Sequence, residues 1–433
     1  MSDVIVTGTG VISPAGPGTE PLWSAMAAGR SLFEPAGPLP WPVAAVDRST
    51  VGWPTGKQWV DNRKYANLAA HWAVEAARLA LRQAGRDPDA PDAPGRGDPE
   101  RGGTVMAVGS TGDELGDVMP RLAGMALDDP RPLATLLYEE VPDYSYIRGI
   151  PSQLGQFVNM ATGFRGSNVA AYGEVAAGGL GSLALALRLL ESGELDRVLV
   201  VGVAPPSSVT ALHSFDRDEP IGTEAAPGRG PFDEERAGPL LGQGAAAVLL
   251  ERAAPADAPA PRALARLLAC ETVVAADRAS ATGLAVRAAL RRAGARPDHW
   301  WAHGSGSPAT DREEVSAVLP QIGAVPVTSS KGTLGLALEC SALIDTVLAV
   351  ESLRRGQLPP VGLLRRPDPR LGGLDLVTGR ARPVPGPGTA LITGIDHGRS
   401  SASAGALVLG GVTGGRGGRG DQGDHRARRE EER

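Results

Sequence analysis

The chain lacks the features that several classes of protein depend on. It has two cysteines, Cys270 and Cys340, in 433 residues, which is too few for a disulfide framework or a cysteine-based metal cluster. The sequence contains no run of about 18 apolar residues that could span a membrane. Its N-terminus also lacks the charged region and apolar stretch of a signal peptide. We therefore expect a cytoplasmic location without membrane partners.

The overall charge and composition are those of an ordinary soluble protein. Hydrophobic residues make up 42% and charged residues 21% of the chain, as in typical globular domains. The net charge of −6 argues against a surface dedicated to nucleic acid. No pattern points to a metal or an organic cofactor, so we expect neither.

Strand-like and helix-like segments alternate along the chain. Continuous apolar runs at residues 197–203 and 245–250 are typical of strands buried on both faces, and residues 68–85 have the broad apolar face of a helix. The alternation resumes after a Pro/Ala-rich stretch and predicts a layered α/β fold. We expect an N-terminal half at residues 1–252, a C-terminal half at 262–412 and a disordered tail at 413–433.

One turn, at residues 173–180, resembles a site for a catalytic nucleophile that is absent; we term it the vacant turn. A strand-like segment (168–171) leads through small residues into a predicted helix at 180–192, and α/β enzymes often present a thiol or hydroxyl in such a turn. Ala176 lies where that group would be. The adjacent pair Gly178-Gly179 lacks the spacing of a phosphate-binding loop, so close helix packing explains it better.

Several segments, in order, resemble those of the β-ketoacyl-ACP synthases, which condense acyl units on a carrier protein. They are Val4-Ile5-Val6-Thr7-Gly8-Thr9-Gly10-Val11-Ile12-Ser13, Pro231-Phe232-Asp233, Gly242-Gln243-Gly244-Ala245, Ala302-His303-Gly304-Ser305-Gly306-Ser307-Pro308, Ser330-Lys331-Gly332-Thr333-Leu334-Gly335 and Leu358-Pro359-Pro360. The resemblance implies the thiolase-like fold, a duplicated α/β unit in five αβαβα layers. It also implies that the strand at 168–171 pairs with a partner's strand across a dimer axis.

Condensing enzymes of this family use one cysteine and two histidines. The thiolate takes the acyl chain, and the imidazoles stabilise the enolate formed as malonyl loses carbon dioxide. Matching by motif places Ala176 on the cysteine position, His303 on the first histidine position and Leu336 on the second. The family lysine is retained as Lys331, and the acidic pair after the first histidine is retained as Asp311 and Glu314. We therefore predict that this chain has no catalytic residues of its own.

Three other positions have two interpretations each. Arg399 falls where the family has a phenylalanine that gates the pocket; it either disfavours a hydrocarbon chain there or is a solvated arginine paired with a carboxylate such as Asp396. Glu174 resembles a catalytic base, although an electrostatic role at the helix N-terminus or a contact with a partner chain is favoured. His303 could act as a general acid, although without its nucleophile it is better explained as a hydrogen-bonded remnant.

The missing thiol is typical of one subgroup of the family, the chain length factor or ketosynthase β subunit of type II polyketide synthases. The resemblance implies a heterodimer with a cysteine-containing ketosynthase α subunit and contact with an acyl carrier protein, and it places residues 119–146 near the growing chain. Retained His303 favours a divergent member whose system makes reduced or polyene-like chains. Two alternatives stay open: a malonyl-ACP decarboxylase and a structural pseudo-ketosynthase homodimer.

Overall fold

The computed structural model describes residues 3–35, 41–89, 97–109, 130–140, 144–172, 175–205, 220–222, 228–253, 262–396 and 402–412. The predicted tail at 413–433 lies outside these ranges. The strands are β1 (Val4–Ser13), β2 (Gly16–Pro17), β3 (Glu34–Pro35), β4 (Pro42–Ala44), β5 (Gly102–Val108), β6 (Asn168–Tyr172), β7 (Arg197–Ala204), β8 (Leu241–Gly242), β9 (Gly244–Arg252), β10 (Ala265–Ala275), β11 (His299–Trp301), β12 (Pro326–Thr328), β13 (Gln357–Leu358), β14 (Asp375–Leu376), β15 (Arg382–Pro383), β16 (Thr389–Ile395) and β17 (Ala402–Gly410). The α-helices are α1 (Thr19–Ala27), α2 (Lys57–Asn62), α3 (Leu68–Gln83), α4 (Pro130–Glu140), α5 (Ser145–Arg148), α6 (Pro151–Thr162), α7 (Val175–Glu191), α8 (Arg278–Ala293), α9 (Pro308–Ile322), α10 (Lys331–Leu334) and α11 (Ser341–Arg355).

The large sheet contains the same five-strand arrangement twice. In the first half the order is β1-β9-β7-β5-β6, and in the second it is β10-β17-β16-β11-β12, extended by β14. In each half the first two pairings are antiparallel and the next two are parallel. An antiparallel pairing between β1 and β10 joins the halves. The predicted duplication of the α/β unit is therefore present in the topology.

Helices cover both faces of each half and give five layers. Helix α3 packs on β1, β7 and β9, while α8 packs on β10 and β17 with α9 against it. Helices α7 and α11 lie between the halves, since α7 contacts strands of both and α11 contacts β9 and β16. Three large hydrophobic clusters of the described residues fill the spaces between these layers. The predicted αβαβα thiolase-like fold is confirmed, whereas the division at residues 252 and 262 stays a prediction.

Strand β6 lies at the end of the sheet with one edge open. It pairs with β5 in parallel, from Thr104↔Asn168 to Val108↔Tyr172, and no other strand of the described residues pairs with it. Its counterpart β12 is covered on the equivalent edge by β14. Because an open strand edge is a template for pairing with another chain, this asymmetry between the halves fits the predicted partner contact.

Cys270 lies on β10 and Cys340 immediately before α11, and both belong to the hydrophobic cluster that includes residues of α7 and α11. The Cys270 thiol donates to the Leu180 carbonyl oxygen at 3.3 Å, and Cys340 is fully buried. Burial raises the pKa of both thiols above the usual range, so neither is a ready nucleophile. The described helices include none long and apolar enough to cross a membrane.

His299 makes the stability of the fold sensitive to acid. It begins β11, is fully buried, and neither ring nitrogen has a hydrogen-bond partner among the described residues. Burial lowers its pKa from 6.5 to about 4. As the pH falls from 6.5 to 4, the unfolded state therefore takes up the proton before the folded state does. This residue alone should remove about 1.4 kcal/mol of stability per pH unit in that window.

The variant His299→Leu tests this, because it cannot take up the proton in either state. Urea unfolding at pH 7, 6 and 5 should show its free energy of unfolding rising relative to the parent by about 1.4 kcal/mol for each pH unit below 6.5. An offset between the two proteins that stays the same at all three pH values would contradict the assignment.

Candidate functional site

The family positions lie at the carboxyl ends of parallel strands, where α/β sheets place their sites. Ala176 lies in the first turn of α7, which follows β6. His303 comes two residues after the end of β11, and Lys331 begins α10 three residues after the end of β12. Leu336 follows α10. The prediction that the helix after the vacant turn begins near residue 180 was wrong, since α7 begins at Val175 and includes the glycine pair.

Glu314 fixes the backbone turn at His303. Its Oε1 accepts the His303 backbone N–H at 2.7 Å and the Thr393 hydroxyl at 2.6 Å. Its Oε2 accepts the Gly304 backbone N–H at 2.9 Å. Burial raises the pKa of Glu314 to about 7, although these hydrogen bonds oppose the shift. The carboxyl group therefore holds the turn in shape, as a supporting residue for His303.

His303 itself is a neutral imidazole in a dry environment. Its side chain is fully buried. Burial first, and then the charges of Lys331 and Arg278, hold its pKa well below 6.5. A neutral imidazole can donate one hydrogen bond and accept one, so the group could still orient a carbonyl. It cannot act as a cationic acid near neutral pH.

Asp311 ties the Pro231-Phe232-Asp233 motif to the same turn. Its Oδ2 accepts the Phe232 backbone N–H at 3.1 Å and forms an ion pair with Arg236 Nε at 2.9 Å. Its Oδ1 accepts the Gly306 N–H at 3.2 Å. Phe232 has a left-handed backbone with φ of 64°, which a bulky residue rarely adopts. Desolvation raises the pKa of Asp311 although Arg236 opposes it, and the carboxylate again has a supporting role.

Phe232 also closes over the turn beside His303. A Cβ on Gly304 would lie 2.9 Å from both Phe232 Cζ and Ser329 Oγ, and Gly304 has a φ of 44°. Only glycine combines this backbone conformation with so close a neighbour. The turn after β11 is thus held by packing as well as by the two carboxylates.

Lys331 is held by an acid that the sequence analysis missed. Its Nζ forms an ion pair with Asp345 of α11, and both side chains are about 1% exposed. The Ser330 hydroxyl donates to the other oxygen of the same carboxylate. Burial raises the pKa of Asp345, and the Lys331 ammonium opposes that rise. The one sequence signal for this acid was a carboxylate within the apolar run Ser341-Ala342-Leu343-Ile344-Asp345-Thr346-Val347-Leu348.

Leu336 is part of the central core. Its backbone N–H donates to the Leu240 carbonyl oxygen at 2.7 Å, and its carbonyl oxygen accepts from the Gly242 N–H at 3.0 Å. The side chain is fully buried and carries no polar atom. This position therefore cannot supply the hydrogen bond to a thioester carbonyl that a second imidazole would give.

A second buried acid, Glu339, was also missed. It is 7% exposed and lies in the tight turn between Leu336 and α11, where Leu338 has a φ of 40°. A Cβ on Gly179 would lie 2.7 Å from the Glu339 carbonyl oxygen and 3.4 Å from Ala342 Cβ. The prediction that close packing explains the glycine pair is thus confirmed for Gly179.

Several predicted features lie outside the described residues. They are Glu174, the loop with Arg399, and residues 119–129 and 141–143 of the predicted chain-binding segment. Within the described ranges, no group of three or more His, Cys, Asp or Glu could hold a metal ion. The assignments of Ala176, His303, Leu336, Lys331, Asp311 and Glu314 to family positions stay predictions.

Two family models match most of the chain. Residues 1–256 match "Beta-ketoacyl synthase, N-terminal domain", and residues 269–364 match "Beta-ketoacyl synthase, C-terminal domain". Among curated relatives, the tetracenomycin polyketide synthase ketoacyl synthase beta subunit of Streptomyces glaucescens is 30% identical over 401 residues, covering 88% of this chain and 92% of the relative. The alpha subunit from the same organism is 28% identical over 411 residues, with 88% and 91% covered.

Solved structures of similar proteins have the same fold. The ishigamide ketosynthase/chain length factor superposes with a TM-score of 0.76 at 24% identity, covering 95% of this chain and 99% of that one. A beta-ketoacyl synthase from Burkholderia phymatum gives a TM-score of 0.80 at 22% identity, with 95% and 100% covered. A chain of the complex AntDE:AntF, a type II polyketide synthase acyl-carrier protein with its ketosynthase, gives 0.78 at 20% identity, with 95% and 100% covered.

Proposed function

This chain belongs to the beta-ketoacyl synthase family, and on that basis we propose that it is the non-catalytic chain length factor of a type II polyketide synthase. The resemblance to ketosynthase β subunits is confirmed by a curated relative of that kind. The alpha subunit is nearly as similar as the beta subunit, so overall identity does not separate the two roles. The observation that carries the proposal is the pair Ala176 and Leu336, which by the motif resemblance stand at the family's positions for a nucleophile and a hydrogen-bond donor.

The retained polar residues support a scaffold more than a reaction centre. Glu314 and Asp311 use their oxygens on backbone N–H groups and Arg236, and Lys331 is paired with Asp345. A methyl group at residue 176 cannot form a thioester. Acyl transfer would then take place on a cysteine-containing ketosynthase α subunit, and this chain would contribute the wall of the cavity in which the product grows.

The open edge of β6 supports a heterodimer. We propose that the α subunit covers this edge and that an acyl carrier protein delivers the chain to the pair. Such an assembly would leave this protein poorly soluble when it is made alone. The expected cytoplasmic location stays a prediction, as does the preference for reduced or polyene-like products.

Intact-mass measurement of the two-chain complex tests the division of labour. After co-expression with a cysteine-containing ketosynthase α subunit, acyl carrier protein loaded with an acyl chain should add one acyl group to the partner. This chain should keep its mass, because both of its thiols are buried with raised pKa values. A thioester on Cys270 or Cys340, or a stable monomer at micromolar concentration, would contradict the proposal.

Enlarging a side chain in α4 tests where product length is set. Helix α4 lies within residues 119–146, and Ala134 is exposed on it. The variant Ala134→Trp should shorten the products, because further growth would cost about 1–3 kcal/mol in steric overlap. Ala324→Trp is the matched control, since Ala324 is exposed at the amino end of β12, away from the site. Equal product lengths from both variants would contradict the proposal that α4 forms part of the wall of the product cavity.

A further inference from the structure

Two neighbouring strands place unpartnered polar atoms on one buried face. Trp301 of β11 pairs in parallel with Thr328 of β12, so their side chains point to the same side of the sheet. Both residues are fully buried. Neither Trp301 Nε1 nor Thr328 Oγ1 has a hydrogen-bond partner among the described residues. His299, two residues before Trp301, shares this face, and both of its ring nitrogens are unpartnered as well.

The hydrophobic clusters identify this face as the one toward the central layer. Trp301 belongs to the cluster that contains residues of α7 and α11. Its neighbours on the opposite face, Trp300 of β11 and Val327 of β12, belong to the cluster that contains residues of α8 and α9. The unpartnered polar atoms therefore lie between buried layers, where bulk water does not reach them.

Trp300 provides a comparison on the same strand. Its Nε1–H donates to the Thr393 hydroxyl of the neighbouring strand β16 at 2.8 Å. Trp301 also has a threonine on a neighbouring strand, Thr328, yet these two side chains do not bond directly. A buried N–H without an acceptor is rare in proteins, because nothing replaces the hydrogen bond that it made to water in the unfolded chain. The Trp301 indole therefore requires another acceptor.

The donors and acceptors on this face fit a water molecule. An indole N–H only donates, whereas a threonine hydroxyl and a neutral imidazole can each donate and accept. The ligand must therefore accept from Trp301 and be able to donate to Thr328 or His299, which a metal cation cannot do. Neighbouring strands lie about 4.8 Å apart, within the span of about 6 Å that one water bridges through two hydrogen bonds. Buried waters typically have about three polar partners.

We infer that the central layer binds a water molecule that accepts a hydrogen bond from Trp301 Nε1 and donates one to Thr328 Oγ1, with His299 on the same face as a further partner. The ladder between β11 and β12 consists of two residue pairs, so the water adds a side-chain link to a short pairing. These strands lead to His303 and Lys331, which come two and three residues after the strand ends. The inference goes beyond the proposed function and does not depend on which subunit carries the nucleophile.

Thr328→Val tests the inference by the sign of its effect, because valine has nearly the shape of threonine and lacks the hydroxyl. With a water bonded to the hydroxyl, the variant should raise the unfolding equilibrium constant of the complex with the α subunit about fivefold, as for the loss of one hydrogen bond. With a hydroxyl buried without any partner, the variant would lower that constant, since an unpaired buried polar group is unfavourable. Urea unfolding at one fixed protein concentration measures the constant. A constant that is lowered or unchanged would overturn the inference.

Thr282→Val is the matched control. The Thr282 hydroxyl on α8 is also fully buried and unpartnered. No other unpartnered side-chain atom of the described residues lies on α8 or on β10, β16, β17 and α9, which pack against it. A water there would lack a second side-chain partner, so this variant should lower the unfolding equilibrium constant or leave it unchanged. An equal rise in both variants would overturn the inference, because the effect would then not need the second partner.

A high-resolution crystal structure of the parent complex gives a direct answer, which also holds if Thr328→Val does not fold. It should show one water oxygen within hydrogen-bond distance of both Trp301 Nε1 and Thr328 Oγ1. The variant Thr328→Ser, which keeps the hydroxyl, should retain this water. A direct bond between the indole and the hydroxyl, or a parent structure in which neither group contacts a water, would overturn the inference.

Discussion

Replacing Lys331 with methionine should lower the free energy of unfolding by about 3–5 kcal/mol, because it leaves the Asp345 carboxylate buried without its cation. Both side chains are about 1% exposed, so water cannot solvate the charge that remains. The raised pKa of Asp345 shows that burial already outweighs the ammonium. The carboxyl group of Lys331→Met should therefore take up a proton at a higher pH than in the parent.

The double variant Lys331→Met/Asp345→Leu should recover most of this loss, since an apolar pair of similar volume can replace a buried ion pair at little cost. Urea unfolding of the complex at one fixed protein concentration measures the free energy of unfolding of each of these variants. Arg382→Met is the control, because it removes an ion pair with Asp375 whose side chains are 36% and 44% exposed. It should cost less than about 1 kcal/mol. If Lys331→Met cost no more than Arg382→Met, burial of the Lys331–Asp345 pair would not increase its contribution to the free energy of unfolding.

Condensation by the complex should change by less than about twofold when His303 is replaced by glutamine, which keeps a neutral group able to donate and accept hydrogen bonds. The imidazole is fully buried and its pKa is well below 6.5, and Leu336 removes the second donor. Loss of the partner's nucleophilic cysteine should instead reduce the rate by at least about a thousandfold. Rates of product formation from malonyl carrier protein measure both changes.

The same experiment decides between the proposed function and the decarboxylase alternative. If His303→Gln abolished condensation or the release of carbon dioxide, while Ala134→Trp left product length unchanged, His303 would be chemically active. Thermal unfolding of the variant complex is the control, because a misfolded chain would lose activity without any chemical role for the imidazole. A folded, inactive His303→Gln complex would defeat the non-catalytic assignment.

The large elements of the fold could be predicted from the sequence, and the short ones could not. The apolar run at 197–203 became β7 (Arg197–Ala204), because a strand buried on both faces needs a continuous apolar run. The helical pattern at 68–85 became α3 (Leu68–Gln83), because burial of one helix face imposes a period on the sequence. Strands of two or three residues, such as β2 and β13, carry no such period. Helix α7 begins earlier than predicted because packing against the Glu339 turn overrides the low helix propensity of glycine.

The site was predictable only where motifs are local. His303, Lys331, Asp311 and Glu314 follow from short segments of family resemblance. Asp345 and Glu339 follow from no such segment, since they act through side-chain contacts with residues distant in sequence. Sequence could not show that the two acids after His303 accept hydrogen bonds from backbone groups, because that depends on where β11 ends and α9 begins.

The pairing of β1 with β9 and β10 has a consequence for synthesis on the ribosome. All ten residues of β1 are buried in the finished protein, yet its first long partner, β9, begins at Gly244. At about 5–20 residues per second, on the order of tens of seconds pass between the translation of these two strands. During that time neither edge of β1 has a long strand to pair with, and a fragment that stops before Gly244 never supplies one.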